Sequence, residues 1–176
     1  MHRISLTEHL KQRHLNIELH RPIICESEYV ATFLIYNLSG QIVGYQKYRP
    51  QGCKKTFNCA EKSKYYTYRK LPTVTIWGVE SLKFHSKCIF LTEGIFGAAR
   101  MTNIERSALA VLSNDCPKDY VNWLQMLNRP IVSVCDNDSA GKKLSKFGNY
   151  VEIVPDIKDL GESSDDYVSY LIDKYD

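Results

Sequence analysis

Two stretches decide how this chain folds: residues 88–97, CIFLTEGIFG, and residues 131–141, IVSVCDNDSAG. Each opens on an apolar run of strand length, Cys88–Leu91 and Ile131–Cys135. Each then breaks into acid and glycine, as Thr92-Glu93-Gly94 in the first and Asp136-Asn137-Asp138-Ser139-Ala140-Gly141 in the second. Helix-like segments follow at Ile95–Thr102 and Ala140–Phe147. The alternation continues with apolar runs at Ala108–Leu112 and Tyr150–Val154 and helical patterns at Lys118–Leu127 and Asp165–Lys174. Short apolar strands alternating with helices indicate βαβ units and a parallel sheet. Ligands of such a sheet sit beyond the carboxyl ends of its strands. Glu93, the Asp136/Asp138 pair and the carboxylates of Pro155-Asp156-Ile157-Lys158-Asp159 should therefore meet at one edge.

Clustered carboxylates repel one another and desolvate poorly unless a cation joins them. A hard, oxygen-seeking Mg²⁺ or Mn²⁺, shared between carboxylates and substrate phosphates, answers that problem. Gly94 and Gly141 would let backbone approach a phosphate where a helix begins. An isolated D-x-D has a structural reading as a turn or helix cap. The pattern gains specificity because a strand–Glu-Gly–helix unit precedes it by about forty residues.

The first half reads differently. Ser5 or Thr7 caps a short helix with Leu6 and Leu10 on one face, running to His14. Tyr29–Tyr36 and Gln41–Tyr48, rich in β-branched and aromatic residues, flank the turn Asn37-Leu38-Ser39-Gly40 and form a β-hairpin. A loop at Gly52–Lys55 and a polar stretch lead to an expected strand at Thr73–Trp77. The change of pattern places a boundary at residues 85/86: a small mixed, mainly antiparallel β subdomain over 1–85, and an α/β domain over 86–176.

Net charge is +3, but its distribution is uneven. Residues 41–70 carry eight Lys and Arg against Glu61 alone, a net +7, together with Tyr45, Tyr48, Tyr65, Tyr66 and Tyr68; residues 151–176 carry net −6. A basic, tyrosine-rich segment suits a polyanion with stackable bases. On charge alone, a solvated, tyrosine-rich antiparallel sheet with exposed lysines is the more ordinary reading.

IFLTEGIFGA followed by SVCDNDSAG resembles the signature of the Toprim family, found in bacterial and phage primases, topoisomerases and some nucleases. The resemblance implies a Toprim-like parallel sheet flanked by helices, with Glu93, Asp136 and Asp138 as metal-binding catalytic acids and Asp159, in PDIKDLGESSDD, as a further metal ligand. Position 97 departs from the primase pattern, which has an Asp four residues after the glutamate; here it is Gly97. ATFLIYNLSGQIVGYQKYRP and KKTFNCAEKSKYYTYRKLPTVTIWG, with Phe57-Asn58 and Trp77-Gly78, are similar to the segments that precede the Toprim domain in DnaG-type DNA primases. LTEHLKQRHL resembles the helix that opens such cores. The resemblance implies a nucleotidyltransferase that makes short RNA primers on a single-stranded DNA template from NTPs. Residues 41–70 are then expected to form a groove beside the acidic site, with Lys47, Arg49, Lys54 and Lys55 tracking the strand and Gly94 and Gly141 near its phosphates.

Other features bound this reading. No apolar run reaches the roughly 18–20 residues that span a bilayer, and the charged N-terminus lacks a signal-peptide core, so the expected location is the cytoplasm, the host's if the chain is phage-encoded. Six scattered cysteines show no paired framework; Cys88 and Cys135 read as buried thiols. Cys53-x₅-Cys59 lacks a second pair, so zinc is not expected. His9 and His14 read as surface residues. Without a P-loop, a helicase would be a separate partner, as would a zinc-binding protein that reads the template. The alternatives are a Toprim nuclease using the same acids with water as nucleophile, and a non-catalytic nucleic-acid-binding module.

Overall fold

The computed structural model describes residues 4–53, 57–70, 74–113, 118–138, 141–155 and 159–176. The chain opens with α1, Leu6–Gln12, capped as its sequence suggests: the Ser5 hydroxyl accepts from the Glu8 amide. The Glu26 carboxylate takes two further free amides of the first turn, those of Leu6 and Thr7. Leu6 and Leu10, one turn apart, are buried. After the single turn α2, Ile17–His20, come four strands: β1 Ile23–Cys25, β2 Val30–Tyr36, β3 Ile42–Tyr48 and β4 Tyr65–Arg69. They form one antiparallel sheet in sequence order. The β2–β3 turn is held by the Asn37 side chain, whose oxygen accepts from the Ser39 and Gln41 amides, and by Gly40 at φ +75°, where a glycine is at ease.

The second sheet holds β5 Ile89–Thr92, β6 Ala108–Ala110, β7 Ile131–Cys135 and β8 Tyr150–Ile153, in the order β6-β5-β7-β8 and wholly parallel. The connecting helices are α3 Ile95–Thr102, α4 Lys118–Met126 and α5 Gly141–Leu144, the last continued by a 3-10 turn at Ser145–Phe147; α6, Asp165–Tyr175, closes the chain. β5 and β7 are buried at every position, as central strands covered on both faces must be. Their side chains alternate between two cores. Ile89, Leu91, Ile131 and Cys135 pack with Tyr120 and Leu124 of α4 and Leu144 of α5. Phe90, Val132 and Val134 pack with α3, α6, Leu6 and Leu10 of α1, and the inner face of the antiparallel sheet.

Helix α3 lies where the two sheets meet, and every residue of it is buried. That explains its composition, IFGAARMT: a helix enclosed on all sides has no polar stripe to spare. Phe96 meets Phe33 of β2 and Tyr48 of β3 edge to face, at 6.1 and 4.8 Å between ring centroids. Full burial of a side chain such as Phe96 or Met101 stabilises by roughly 1.5–3 kcal/mol.

Three expectations need correcting. The polar stretch before residue 70 contains strand β4, which the hydrophobic pattern conceals because its tyrosines are half-exposed on both faces. The strand expected at Thr73–Trp77 is absent from its described residues, 74–77, while Thr73 lies outside them. There the Tyr120 hydroxyl accepts from the Thr75 amide and donates to the Thr75 carbonyl, so a side chain takes the groups a ladder would use. Trp77 alone bridges to Ala110 at the edge of the parallel sheet. His9 is also not a plain surface residue: it is half-buried, stacked on Tyr48 and hydrogen-bonded to its hydroxyl at 2.8 Å.

Candidate active site

The carboxyl ends of the parallel strands bring Glu93, Asp136 and Asp159 to the lining of one cleft, with Asp138 in the turn beside them. Glu93 follows β5, Asp136 and Asp138 follow β7, and Asp159 lies in the segment after β8. A cleft of about 290 Å³ is lined by Glu93, Gly94, Gly97, Asp136 and Asp159 on the parallel-sheet side, and by Gln46 and Tyr65 on the antiparallel side. The acids thus face the first half of the chain across a gap.

Their electrostatics are those of crowded carboxylates. Burial, and then the charges of Asp136 and Asp138, push the Glu93 carboxyl up to about 7. Burial, with Asp159 and Asp138 adding to it and Arg13 opposing it, pushes Asp136 up to about 6. Glu93 Oε1 is buried without a hydrogen-bond partner, and so is Asp159 Oδ1. Such oxygens are costly to leave unsatisfied, and both belong to residues lining the cleft.

Asp138, exposed, accepts the Gly141 amide at 2.7 Å, and its own amide bonds the Asp136 carbonyl at 2.8 Å. The D-x-D turn is therefore wound on itself. Gly141 is glycine for a local reason, since a Cβ there would stand 2.0 Å from the Asp136 carbonyl oxygen. Its amide is already engaged and α5 is a single turn, so the structure gives Gly141 a turn-forming place instead of the expected phosphate contact. Gly94 is exposed at the start of α3, with open space where a Cβ would be. At Gly97 an added Cβ would sit 3.2 Å from Thr92 Cβ and 3.4 Å from Leu160 Cβ. A carboxylate side chain would have to push these neighbours aside.

Asp159 is oriented by a residue the sequence reading passed over. Arg13, buried at the end of α1, pairs with Asp159 at 2.8 Å and with Glu162 at 3.3 Å, and lies over the Phe96 ring at 4.3 Å. Nothing in LKQRHL distinguishes this arginine from a surface one; its role depends on packing between elements 146 residues apart. Tyr65 and Gln46 were equally hidden, the first among five tyrosines and the second in a strand read for its cations. Arg69, whose guanidinium donates to the Leu112 carbonyl at 3.0 Å, stands beside the same cleft wall.

The expected cations are placed differently from the acids. Directly opposed residues on paired strands share a face. Gln46 and Tyr65 line the cleft and Tyr48 enters the core, so Lys47, set opposite Tyr66 and near the Tyr45 ring, projects from the far side of the sheet. Arg49 is half-buried, with Nη1 enclosed and unpartnered. Lys54 and Lys55 lie outside the described residues.

The donor set is all oxygen, as a hard divalent cation requires. Among the described residues no three of His, Cys, Asp and Glu converge into a ready-made cage. Mg²⁺ needs none, since it is commonly held by one or two carboxylates with substrate phosphates and water completing its shell. Glu93 and Asp136, with the two unpartnered oxygens, fit that manner of binding.

A parallel β6-β5-β7-β8 sheet with acids at its carboxyl edge, faced by an antiparallel sheet, is a Toprim-like α/β architecture. No family model matches the sequence, and no curated protein does either. Solved structures do match, among them several primase catalytic cores. The chain is similar to the zinc-binding and RNA polymerase domains of Aquifex aeolicus primase (TM-score 0.64, 18% identity, 88% of this chain and 42% of that one). It is similar also to a DnaG primase catalytic domain bound to single-stranded DNA (0.62, 12%, 96% and 60%). A third is the RNA polymerase domain of Mycobacterium tuberculosis primase DnaG in complex with double-stranded DNA (0.62, 17%, 97% and 64%). At these identities the likeness is one of fold, and the chain spans less than two thirds of each of these structures. Among the described residues no helix is long and apolar enough to cross a membrane.

Proposed function

We propose that this chain is a metal-dependent, primase-like nucleotidyltransferase core that synthesises short RNA primers on single-stranded DNA. One observation carries the reading: a buried, unpartnered Glu93 oxygen beside Asp136, at the strand ends of a parallel sheet, faces an antiparallel sheet across a cleft. The likeness to primase cores, one of them bound to single-stranded DNA, supports the same assignment.

A divalent cation bound by Glu93 and Asp136 supplies charge neutralisation at a transferring phosphoryl group. Asp138, fixed by the Gly141 amide, and Asp159, fixed by Arg13, stand beside that pair. Tyr65 is pushed above the ordinary phenol range by burial, so it stays a neutral donor on the opposite wall. Gln46, held by Thr67 at 2.9 Å, keeps its amide in a fixed orientation there. The cleft thus presents acids on one side and neutral hydrogen-bonding groups on the other, a setting for a nucleotide's base and sugar opposite its phosphates. Template reading by a separate zinc-binding protein, and coupling to a separate helicase, belong to the same proposal.

The deciding experiment is incubation with single-stranded DNA, labelled NTPs and Mg²⁺ or Mn²⁺. Short, template-dependent oligoribonucleotides are expected. Shortened DNA without NTP incorporation would favour the Toprim nuclease instead, and binding without either would leave a non-catalytic module.

A further inference from the structure

The strands that line the cleft have a second face. Tyr45 and Tyr68, directly opposed on β3 and β4, stack at 5.3 Å with 20° between their planes. Tyr66, opposite Lys47, tilts against Tyr45 at 6.4 Å, and the Lys47 ammonium lies 5.8 Å from the Tyr45 ring. Next along the same face come Leu34, Thr32 and Ile23, of which Ile23 is 57% exposed; Tyr68 is 47% exposed and the others are half-exposed. None of the four strands carries an acidic residue.

Cross-strand aromatic pairs stabilise a sheet whatever faces them, and the Tyr45–Tyr68 stack meets that need. It does not account for a face without carboxylates. Solvated sheet surfaces ordinarily mix both signs of charge to stay soluble and unpaired. A face of exposed phenol rings with a lysine among them, in a segment of net +7, complements a flexible polyanion whose bases are free to stack. A duplex, whose bases are already stacked, has no use for such rings.

We propose that this outer face of the antiparallel sheet is a stacking track for single-stranded nucleic acid, separate from the cleft and on the opposite side of the same strands. Tyr66 and Tyr68 receive bases, and Lys47 neutralises phosphates beside them. The inference rests on the sheet's geometry and charge, not on the catalytic reading of the cleft.

The test is fluorescence anisotropy of the full chain with a labelled oligothymidylate of about twelve nucleotides, within the usual site sizes of stacking platforms. An abasic oligomer of equal length and an oligouridylate run beside it. The double variant Tyr66→Ala/Tyr68→Ala should lose about thirtyfold or more in affinity for oligothymidylate, with the abasic oligomer nearly unaffected. Tyr66→Phe/Tyr68→Phe should keep wild-type affinity. Lys47→Ala should weaken both oligomers and flatten the log–log salt slope by about 0.7. The oligouridylate arm separates a DNA track from an RNA track. The Tyr66→Ala/Tyr68→Ala variant should keep the Mn²⁺ affinity of wild type, since neither ring lines the cleft, so a failure of the catalytic reading would be visible separately.

A folded double variant that binds oligothymidylate like wild type overturns the proposal. So does an equal loss on the abasic oligomer, or sedimentation showing that the face joins two copies of the chain while oligonucleotide affinity stays constant. If the double alanine variant fails to fold, photocross-linking of a halogenated single strand to wild type decides. Cross-links at Tyr68 support the track, and cross-links confined to the cleft peptides around Glu93 contradict it.

Discussion

At Glu93 the sheet holds a carboxyl group where its charge is resisted by burial and by two neighbouring aspartates. The folded chain titrates it near 7 and Asp136 near 6, whereas unfolded carboxylates titrate near 4. Between those values the folded state keeps protons that the unfolded state has lost. The contribution of these groups to stability is therefore complete below about pH 4 and is lost as the pH rises through 6 to 7. After discounting for the solvent-open side of the cleft, the loss is on the order of 1 kcal/mol. Glu93→Gln should raise the melting temperature of chelator-treated protein at pH 8, and the gain should shrink toward pH 4.5. A variant that melts no higher than wild type at pH 8 contradicts this account of the site. Calorimetric titration should find Mn²⁺ affinity in wild type and none in Asp136→Ala/Asp138→Ala; unchanged affinity in that variant would remove these acids from any metal site. Gly141 supplies a purely structural prediction. With a Cβ placed 2.0 Å from the Asp136 carbonyl oxygen, Gly141→Ala should cost about 3 kcal/mol, the upper range for overpacking, as read by urea unfolding. A cost well under 1 kcal/mol would mean that the turn relaxes freely.

Between elements, the decisive contact is the one from α1 to the segment after β8. Arg13 is buried, with Asp159, Glu162 and the Phe96 ring as its surroundings. The Asp159 and Glu162 side chains stay 34% and 44% exposed, so Arg13→Ala should destabilise by about 1–2 kcal/mol in denaturant titration, less than the loss of one partner from a fully buried pair. Arg13→Lys should recover little, because an ammonium cannot address two carboxylates and a ring face at once. Full recovery by lysine would reduce the contact to simple charge pairing. This contact also marks the limit of what the sequence displays. The strands β5, β7 and β8 and the helices α3, α4 and α6 are legible because apolar runs and helical periodicity are local signals. Glu93 and Asp136 are legible because each directly follows its strand, with Asp138 in the same turn; Asp159, six residues past β8, is singled out only by the family resemblance. Arg13, Gln46 and Tyr65 are not legible, since their roles exist only once the antiparallel sheet and α1 close against α3. The face of Lys47 could be read from strand parity only after β4 was known to pair with β3. The failed strand at Thr73–Trp77 shows the converse: β-branched residues promise a ladder, but the Tyr120 hydroxyl, 45 residues away, takes the backbone groups of Thr75.

For the molecule as a whole, the two sheets share one core. Leu6, Leu10, Phe33 and Tyr48 from the first half pack in the same cluster as Phe90, Phe96, Val132 and Leu171 from the second. The boundary at residues 85/86 thus divides sheets but not the hydrophobic interior. A fragment of residues 86–176 should expose α3, lose Arg13 from Asp159, and bind a hydrophobic dye with no sharp thermal transition. A fragment that melts cooperatively and keeps Mn²⁺ affinity would show that the parallel sheet folds and assembles its site alone. The acidic edge then works together with the opposing wall of Gln46 and Tyr65, and in the proposed function this combined cleft joins nucleotides. The most direct measurement follows labelled NTPs into product on a single-stranded DNA template with Mn²⁺ or Mg²⁺, in wild type and in Asp136→Asn/Asp138→Asn. Short oligoribonucleotides that require template and metal, and that the variant does not make, are expected. Template shortened without nucleotide incorporation, or equal product from the variant, would contradict it.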